Sequence, residues 1–456
     1  MNPSTKLKNR EVRALNPTNQ AEADLIIEAA YVIPVTPRGQ ILRDHALVVN
    51  NKRITGIVPS CDISDCRAKE TINLPNHVLM PGFVNAHGHI SMSLFRGLAD
   101  DIPLQEWLET RIWPLESKYV DREFVRDGAM LALAEMISTG TTCFADMYFY
   151  ADEVAGVAHE SNMRAQLASP VLDFPTAWAQ NADEYINKAT QIHDDYRSND
   201  LISTAFGPHA PYTVSDEPLT RIAALAEELD VPIHMHLHEN AQEVANAETT
   251  DGRRPLQRLR DLDIVSPRLL CVHATQLLPE EITLLATHGA SVIHCPSSNM
   301  KLASGFCQVD QLLKQGVNVA LGTDGAASNN DLDMFGEMHL MAMIAKAVAQ
   351  DAAAVNAQQA LEIATLNGAK ALGLDNEIGS LEIGKYADVC AVSLAPLSMT
   401  PVNNPLSHLV YASNGSCVSH VWVGGTPLLT DGELQTLDLS LIRDRAQYWQ
   451  GQFLSQ

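Results

Sequence analysis

From about residue 78 to 375 the chain alternates short apolar, strand-like runs with stretches of helical periodicity, the pattern of repeated βα units. Eight such strands are readable, at 78–87, 142–146, 164–171, 202–209, 232–238, 269–273, 291–295 and 317–323, with helical stretches such as 127–138 and 219–229 between them. Eight units predict an α/β fold closed as a (β/α)8 TIM-like barrel rather than an open doubly wound sheet. The texture differs on either side. Runs at 24–27, 46–49 and 53–58, and again at 387–392 and 419–425, are rich in β-formers and broken by turn residues. They predict a small β-sandwich assembled from both chain ends, 23–77 plus 378–440, around a barrel of 78–377. Residues 1–22 read as a polar extension, and 441–456 as a C-terminal helix.

Composition excludes several classes of function. The 456 residues carry 31 Lys+Arg against 55 Asp+Glu, a formal net charge of −24. A surface this acidic repels phosphate backbones, so nucleic acid is not an expected partner. Eight cysteines without a Cys-x-x-Cys pair predict neither a thiolate zinc knuckle nor a disulfide framework. No apolar run of about 18 residues is present to span a bilayer, and the apolar stretch at 341–349 is interrupted by Lys346. No apolar segment follows the charges of the first eight residues, so no secretory signal is expected, and the expected location is a reducing cytoplasm.

In a barrel the active site forms where the strands end. Here those ends are polar: Asn85-Ala86-His87-Gly88-His89, Gly207-Pro208-His209, His234-Met235-His236-Leu237-His238-Glu239, Val272-His273, His294-Cys295-Pro296-Ser297-Ser298-Asn299 and Gly322-Thr323-Asp324-Gly325. His87 and His89 are two apart on a strand and so share a face, a pairing of imidazoles that suits zinc. His234, His236 and His238 also share one face, and alternation alone does not choose among them.

These segments carry a resemblance. Met80-Pro81-Gly82-Phe83-Val84-Asn85-Ala86-His87-Gly88-His89, Phe95-Arg96-Gly97-Leu98-Ala99-Asp100-Asp101, His236-Leu237-His238-Glu239 and Thr323-Asp324-Gly325 resemble the amidohydrolase superfamily. More narrowly, they resemble its branch of 5′-methylthioadenosine/S-adenosylhomocysteine deaminases, related to the triazine hydrolases. The resemblance implies zinc or a similar divalent ion on His87, His89, His236 and Asp324, with Glu239 as acid/base carboxylate and His273 beside the reacting water. His234 then becomes a packed residue deeper in the barrel and His238 a rim residue. Binuclear members have a lysine at the end of the fourth strand; residues 201–209 contain none, which implies one ion. The catalytic set is therefore Glu239, His273 and Asp324. The reaction implied is hydrolytic deamination of a 5′-modified adenosine, and the expected assembly is a homo-oligomer.

Substrate contacts are expected from the excursion at 91–120, which offers Arg96, Trp107, Trp113 and Glu116. The resemblance implies that Glu116 takes the ribose diol, that His209 contacts the nucleoside, and that Arg164 lies near the 5′ side. Each tryptophan is open between base packing and lid packing, and Arg164 between substrate contact and an ion pair at the start of its strand. Residues 171–179 lack the second arginine of some family members, which tilts the choice from S-adenosylhomocysteine towards 5′-methylthioadenosine. Alternatives are a triazine or other heterocycle hydrolase, a guanine-type deaminase, and a catalytically idle ligand-binding protein. His45, His77, His159, His193, His288, His339, His408 and His420 lie away from strand ends and read as ordinary surface or packed residues. The methionines of 334–343 and Cys295 read as structural.

Overall fold

A computed structural model describes residues 22–63 and 66–455. The extension expected over 1–22 lies outside the described residues apart from Glu22.

The chain enters through four strands, β1 (Ala23–Val32), β2 (Leu42–Asn50), β3 (Arg53–Pro59) and β4 (Ala68–Pro81). It ends through four more, β13 (Val389–Ser393), β14 (Val418–Val423), β15 (Thr426–Thr430) and β16 (Glu433–Leu434). Together they make one sheet in the order β16-β15-β14-β13-β4-β1-β2-β3, antiparallel except where β1 runs parallel to β4. The sheet curls on itself: a Cβ added to Gly425, after β14, would sit 3.1 Å from Val49 of β2. Leu25, Ile27, Leu47, Val49, Leu79, Val389 and Trp422 fill the interior of this sandwich. Alternation along β1 sends Leu25 and Ile27 into that cluster and Ile26 to a second one on the opposite face.

Between the two halves of the sheet lie eight parallel strands: β5 (Phe83–Asn85), β6 (Thr141–Asp146), β7 (Arg164–Val171), β8 (Ile202–Pro208), β9 (Ile233–Leu237), β10 (Leu269–His273), β11 (Ser291–His294) and β12 (Asn318–Leu321). They pair in sequence order, and the last is drawn against the first by Ala86 N–H donating to Leu321 C=O (2.9 Å) and Asp324 N–H donating to His87 C=O (3.0 Å). The result is the TIM-like barrel expected from the βα repeat. Its interior is packed by Val84, Ala86, Cys143, Ala145, Val272, Ile293 and Ala320. Ala369, Ala371, Leu372 and Ile378, from the helix Leu366–Ala371 and the segment after it, close its N-terminal mouth. Only the C-terminal rim is left open for a site.

The strand expected over 78–87 is two strands. Residues 78–81 continue β4 and pair with β13, and only Phe83–Asn85 joins β6. Gly82 allows the switch: a Cβ there would meet Thr142 at 2.1 Å, so no larger residue fits between sheet and barrel. The barrel thus begins at Phe83 rather than at 78. The C-terminal helix runs Leu439–Leu454, starting two residues before the expected 441 because Asp438 caps it through Ser440 N–H and Leu441 N–H.

Arg164 requires a correction. It is the first residue of β7, so it sits at the closed pole of the barrel, roughly 20 Å along the strand from the rim. Its side chain is buried: Nε donates to Asp388 Oδ2 (3.0 Å), a second nitrogen to Asp200 C=O (2.7 Å), and the guanidinium lies over Tyr386 at 4.6 Å. Asp388 precedes β13, so this pair ties the barrel to the curled sheet, and Arg164 is not among the residues that line the cavity at the rim. Removing one partner of a buried ion pair strands the other charge. Arg164→Ala is therefore expected to cost about 3–5 kcal/mol of stability in chemical denaturation, while the folded variant keeps the parent KM. A raised KM at unchanged stability would restore the sequence-based assignment.

Candidate active site and metal centre

The strand ends bring His87, His89, His236 and Asp324 to one place. His236 Nε2 lies 3.3 Å from His87 Nε2 and 3.2 Å from His89 Nε2, and Asp324 Oδ1 lies 3.4 Å from each of those two histidines. His87, His89 and Asp324 form one group whose ligand atoms lie within 4.8 Å of one another, and His87, His236 and His273 form a second that shares His87. Three neutral imidazole nitrogens and one carboxylate oxygen are a donor set that zinc accepts. The residues present therefore fit a single divalent ion, which is the cofactor of this fold's zinc-bound relative described below.

Each imidazole is aimed by a partner on its other nitrogen. His89 Nδ1 meets Met147 C=O at 2.6 Å and His236 Nδ1 meets His209 C=O at 2.7 Å, so both Nε2 atoms face inward with a free lone pair. His87 Nδ1 meets His234 Nε2 at 2.9 Å. His234 thus lies deeper in the barrel and orients a ligand. Burial pushes the His87 imidazole down to about 4 and holds His236 well below the usual range, which keeps both uncharged for a cation.

The end of β6 braces the same histidines. Asp146 accepts the Ile90 N–H (2.8 Å), and Met147 N–H donates to Gly88 C=O (2.9 Å). Asp324 has a left-handed backbone (φ 63°), and its Oδ2 accepts Ser298 Oγ (2.6 Å) and Ser328 Oγ (2.9 Å). Burial opposes its ionisation, but the hydrogen bond with His87 and the neighbouring imidazoles hold its carboxyl well below the usual carboxylate range.

Glu239 and His273 stand beside this ring. His273 Nε2 is 3.8 Å from Glu239 Oε1, and its Nδ1 is paired with Asn299 Oδ1 at 2.8 Å, which leaves Nε2 as an acceptor towards the cavity. Burial first, then the Asp324 charge, pushes the Glu239 carboxyl up to about 8, so it holds a proton at neutral pH. His238 faces away, with Nε2 accepting Leu256 N–H (3.2 Å).

All of this opens into one cavity of about 570 Å³, within the size range of small-molecule sites. Its wall includes Trp107, Trp113, Glu116, Phe174, His209 and Ser328, and none of the described residues that line it is Lys or Arg. Glu116 is carried on the helix Trp113–Tyr119, which follows a π-helical turn at Leu108–Ile112. Tyr148 Oη donates to its carboxylate (2.8 Å), and burial pushes the Glu116 carboxyl up to about 7. His209 packs beside His236 with ring centroids 4.9 Å apart, and burial drives it down to about 3. Trp107 donates to Ala99 C=O (3.0 Å) and Trp113 lies 6.3 Å from Phe174. Arg96 is held by Glu135 and does not line the cavity. Ser328, Tyr148 and Asp146 were not readable as site residues. Only their nearness in sequence to Asp324 and to the end of the second barrel strand pointed to them.

The metal ring yields a test. His87→Ala is expected to abolish zinc retention, and His234→Ala to weaken zinc affinity about 10–100-fold by freeing the His87 ring. Elemental analysis and chelator competition measure both, and an unchanged affinity in His234→Ala would remove its orienting role.

The amidohydrolase family model matches residues 78–428. A 5-methylthioadenosine/S-adenosylhomocysteine deaminase of Saccharophagus degradans is 53% identical over 434 residues, covering 95% of this chain and 97% of that protein. A 5′-deoxyadenosine deaminase of Methanothermobacter thermautotrophicus is 40% identical over 406 residues, covering 89% and 94%. The crystal structure of a Xanthomonas campestris adenosine deaminase with bound zinc superposes with a TM-score of 0.95 at 47% identity, covering 96% of this chain and all of that one. With the family's span lying over every strand end that builds the metal ring, this chain belongs to the amidohydrolase family.

Proposed function

We propose that the chain is a zinc-dependent aminohydrolase that converts a 5′-modified adenosine, preferentially 5′-methylthioadenosine, to the inosine derivative and ammonia. The observation that carries this reading is the placement of the Glu239 carboxyl, which burial pushes up to about 8, beside the cluster of His87, His89, His236 and Asp324 in a cavity whose wall includes Trp107, Trp113 and Phe174 as well as Glu116 and His209. The names of the three relatives described above, each a deaminase of adenosine or a 5′ derivative, support it.

When bound, the divalent ion lowers the pKa of water at this site to about 7 and so supplies hydroxide at neutral pH. Asp324 accepts a proton from the attacking water, and His273 orients that water through its Nε2 lone pair. Glu239 delivers its proton to ring N1, which makes C6 electrophilic; the proton that Asp324 took from the water then passes to the departing amine, and Glu239 recovers a proton from the C6 hydroxyl as the carbonyl forms. Water adds at C6, the C6–N6 bond breaks, and ammonia leaves a hypoxanthine ring. Glu116, as a two-oxygen acceptor, takes the ribose diol, His209 contacts the nucleoside, and Trp113 packs against it.

The 5′ preference follows from the wall. A homocysteine carboxylate buried against Trp107, Trp113, Leu172 and Phe174 would lack a cation, whereas a methylthio group loses nothing there. Glu116 and His209 on the wall count against a simple heterocycle as substrate, which has no ribose to hold. The same reading places the enzyme in a reducing cytoplasm, supported by eight unpaired cysteines; among the described residues no helix is long and apolar enough to cross a membrane. It also places the enzyme in a homo-oligomer, supported by Leu441, Tyr448 and Leu454, which are exposed on the C-terminal helix.

Two measurements test this. In a nucleoside panel, 5′-methylthioadenosine is expected to show the highest kcat/KM by ammonia release and by the adenine-to-hypoxanthine absorbance change; turnover confined to guanine or triazines would reject the proposal. The raised Glu116 carboxyl means that its ionised, acceptor form is lost as pH falls through about 7. Binding of 5′-methylthioinosine is therefore expected to tighten between pH 6 and 8, and that of a 2′,3′-dideoxy analogue to tighten less. Equal pH dependence for the two would take Glu116 off the ribose.

A further inference from the structure

We propose that Glu243 and Thr275 are positioning residues for Glu239, gripping its backbone from two sides so that its carboxyl stays aimed at the reacting ring. The proposal rests on the reading of Glu239 as the proton donor.

The need for such a grip comes from the chain path. β9 ends at Leu237, and His238 takes a left-handed conformation (φ 54°) that an L-residue with a β-carbon adopts unwillingly. That turn throws Glu239 out of the strand line and over the cavity, and nothing in the residue itself holds it there. The backbone contacts do. Glu243 accepts both amides with its two oxygens, His238 N–H at 3.0 Å and Glu239 N–H at 2.7 Å. Thr275 takes both carbonyls: its N–H donates to His238 C=O (3.0 Å) and its hydroxyl to Glu239 C=O (2.7 Å). All four polar backbone groups of the turn are thus held by two residues.

Those two residues are themselves fixed. Glu243 stands in the first turn of the helix Ala241–Asp251, where its own N–H is capped by Asn240 Oδ1 (2.8 Å). Thr275 follows His273 by two residues, and Gln276 Nε2 donates to its hydroxyl (2.9 Å). The grip therefore sets the spacing between Glu239 and His273, whose side chains come within 3.8 Å. Neither Glu243 nor Thr275 lines the cavity, so each acts through Glu239 and not on the substrate. The chemistry of the contacts is specific. A carboxylate offers two acceptors to two amides, whereas a carboxamide turns one of them into a donor facing an N–H. Serine keeps the hydroxyl that valine lacks.

The test uses zinc-loaded full-length protein and 5′-methylthioadenosine. Glu243→Gln and Thr275→Val are each expected to lower kcat about 10–100-fold, the scale of a small misplacement of a reacting group, with KM and bound zinc unchanged. Thr275→Ser is expected to recover most of what Thr275→Val loses. If Glu243→Gln fails to fold, the Thr275 pair decides alone. Glu239→Gln, expected to keep zinc and lose turnover, is measured in parallel; if it stays active, the assigned role of Glu239 fails, and the grip has nothing to serve. With Glu239→Gln inactive, three results would overturn the grip itself: kcat within about two-fold of the parent in both disrupting variants, no recovery in Thr275→Ser, or zinc lost in step with kcat.

Discussion

The structure depends on forcing three imidazoles and a carboxylate into mutual contact in a place that water barely reaches. Buried polar groups are costly unless each finds a partner, and groups meant for a cation cannot satisfy one another. The fold meets this by engaging the outward atom of every ligand. A carbonyl after β6 takes His89, a carbonyl after β8 takes His236, a deeper histidine takes His87, and two serines take Asp324. Apart from Ser328, which follows Asp324 by four residues, each of these partners belongs to a barrel strand or loop other than that of the ligand it holds, so the metal ring is accurate only if the barrel is in register.

That dependence explains which parts of the site could be read from the amino-acid order. The eight strands were legible because a barrel strand buried on both faces is a continuous apolar run, and the candidate ligands stood out because a polar residue that ends such a run is brought to the barrel rim. Choosing His236 over His234 and His238 needed the family resemblance, since all three share a face. The partners were harder to see. Ser328 and Tyr148 lie on loops whose path follows from tertiary packing, and main-chain carbonyls leave no mark on a sequence at all.

The two misreadings arose differently. Arg164 was placed by similarity of its surroundings, yet a residue that opens a strand and one that closes it lie at opposite poles of the barrel. The run at 78–87 looks like one strand because its apolar residues continue across Pro81-Gly82 to Val84. What divides it is Gly82, where the chain passes Thr142 too closely for a side chain and changes its sheet partner. In the second case hydrophobicity reported burial correctly and said nothing about direction.

The sealed lower mouth has a kinetic meaning. With the helix Leu366–Ala371 plugging the far end, the site is a blind alley. Solvent, nucleoside and ammonia share one doorway, bordered by the excursion that carries Trp107 and Trp113. A small amine formed at the floor and a bulky purine therefore meet the same aromatic rim on the way out.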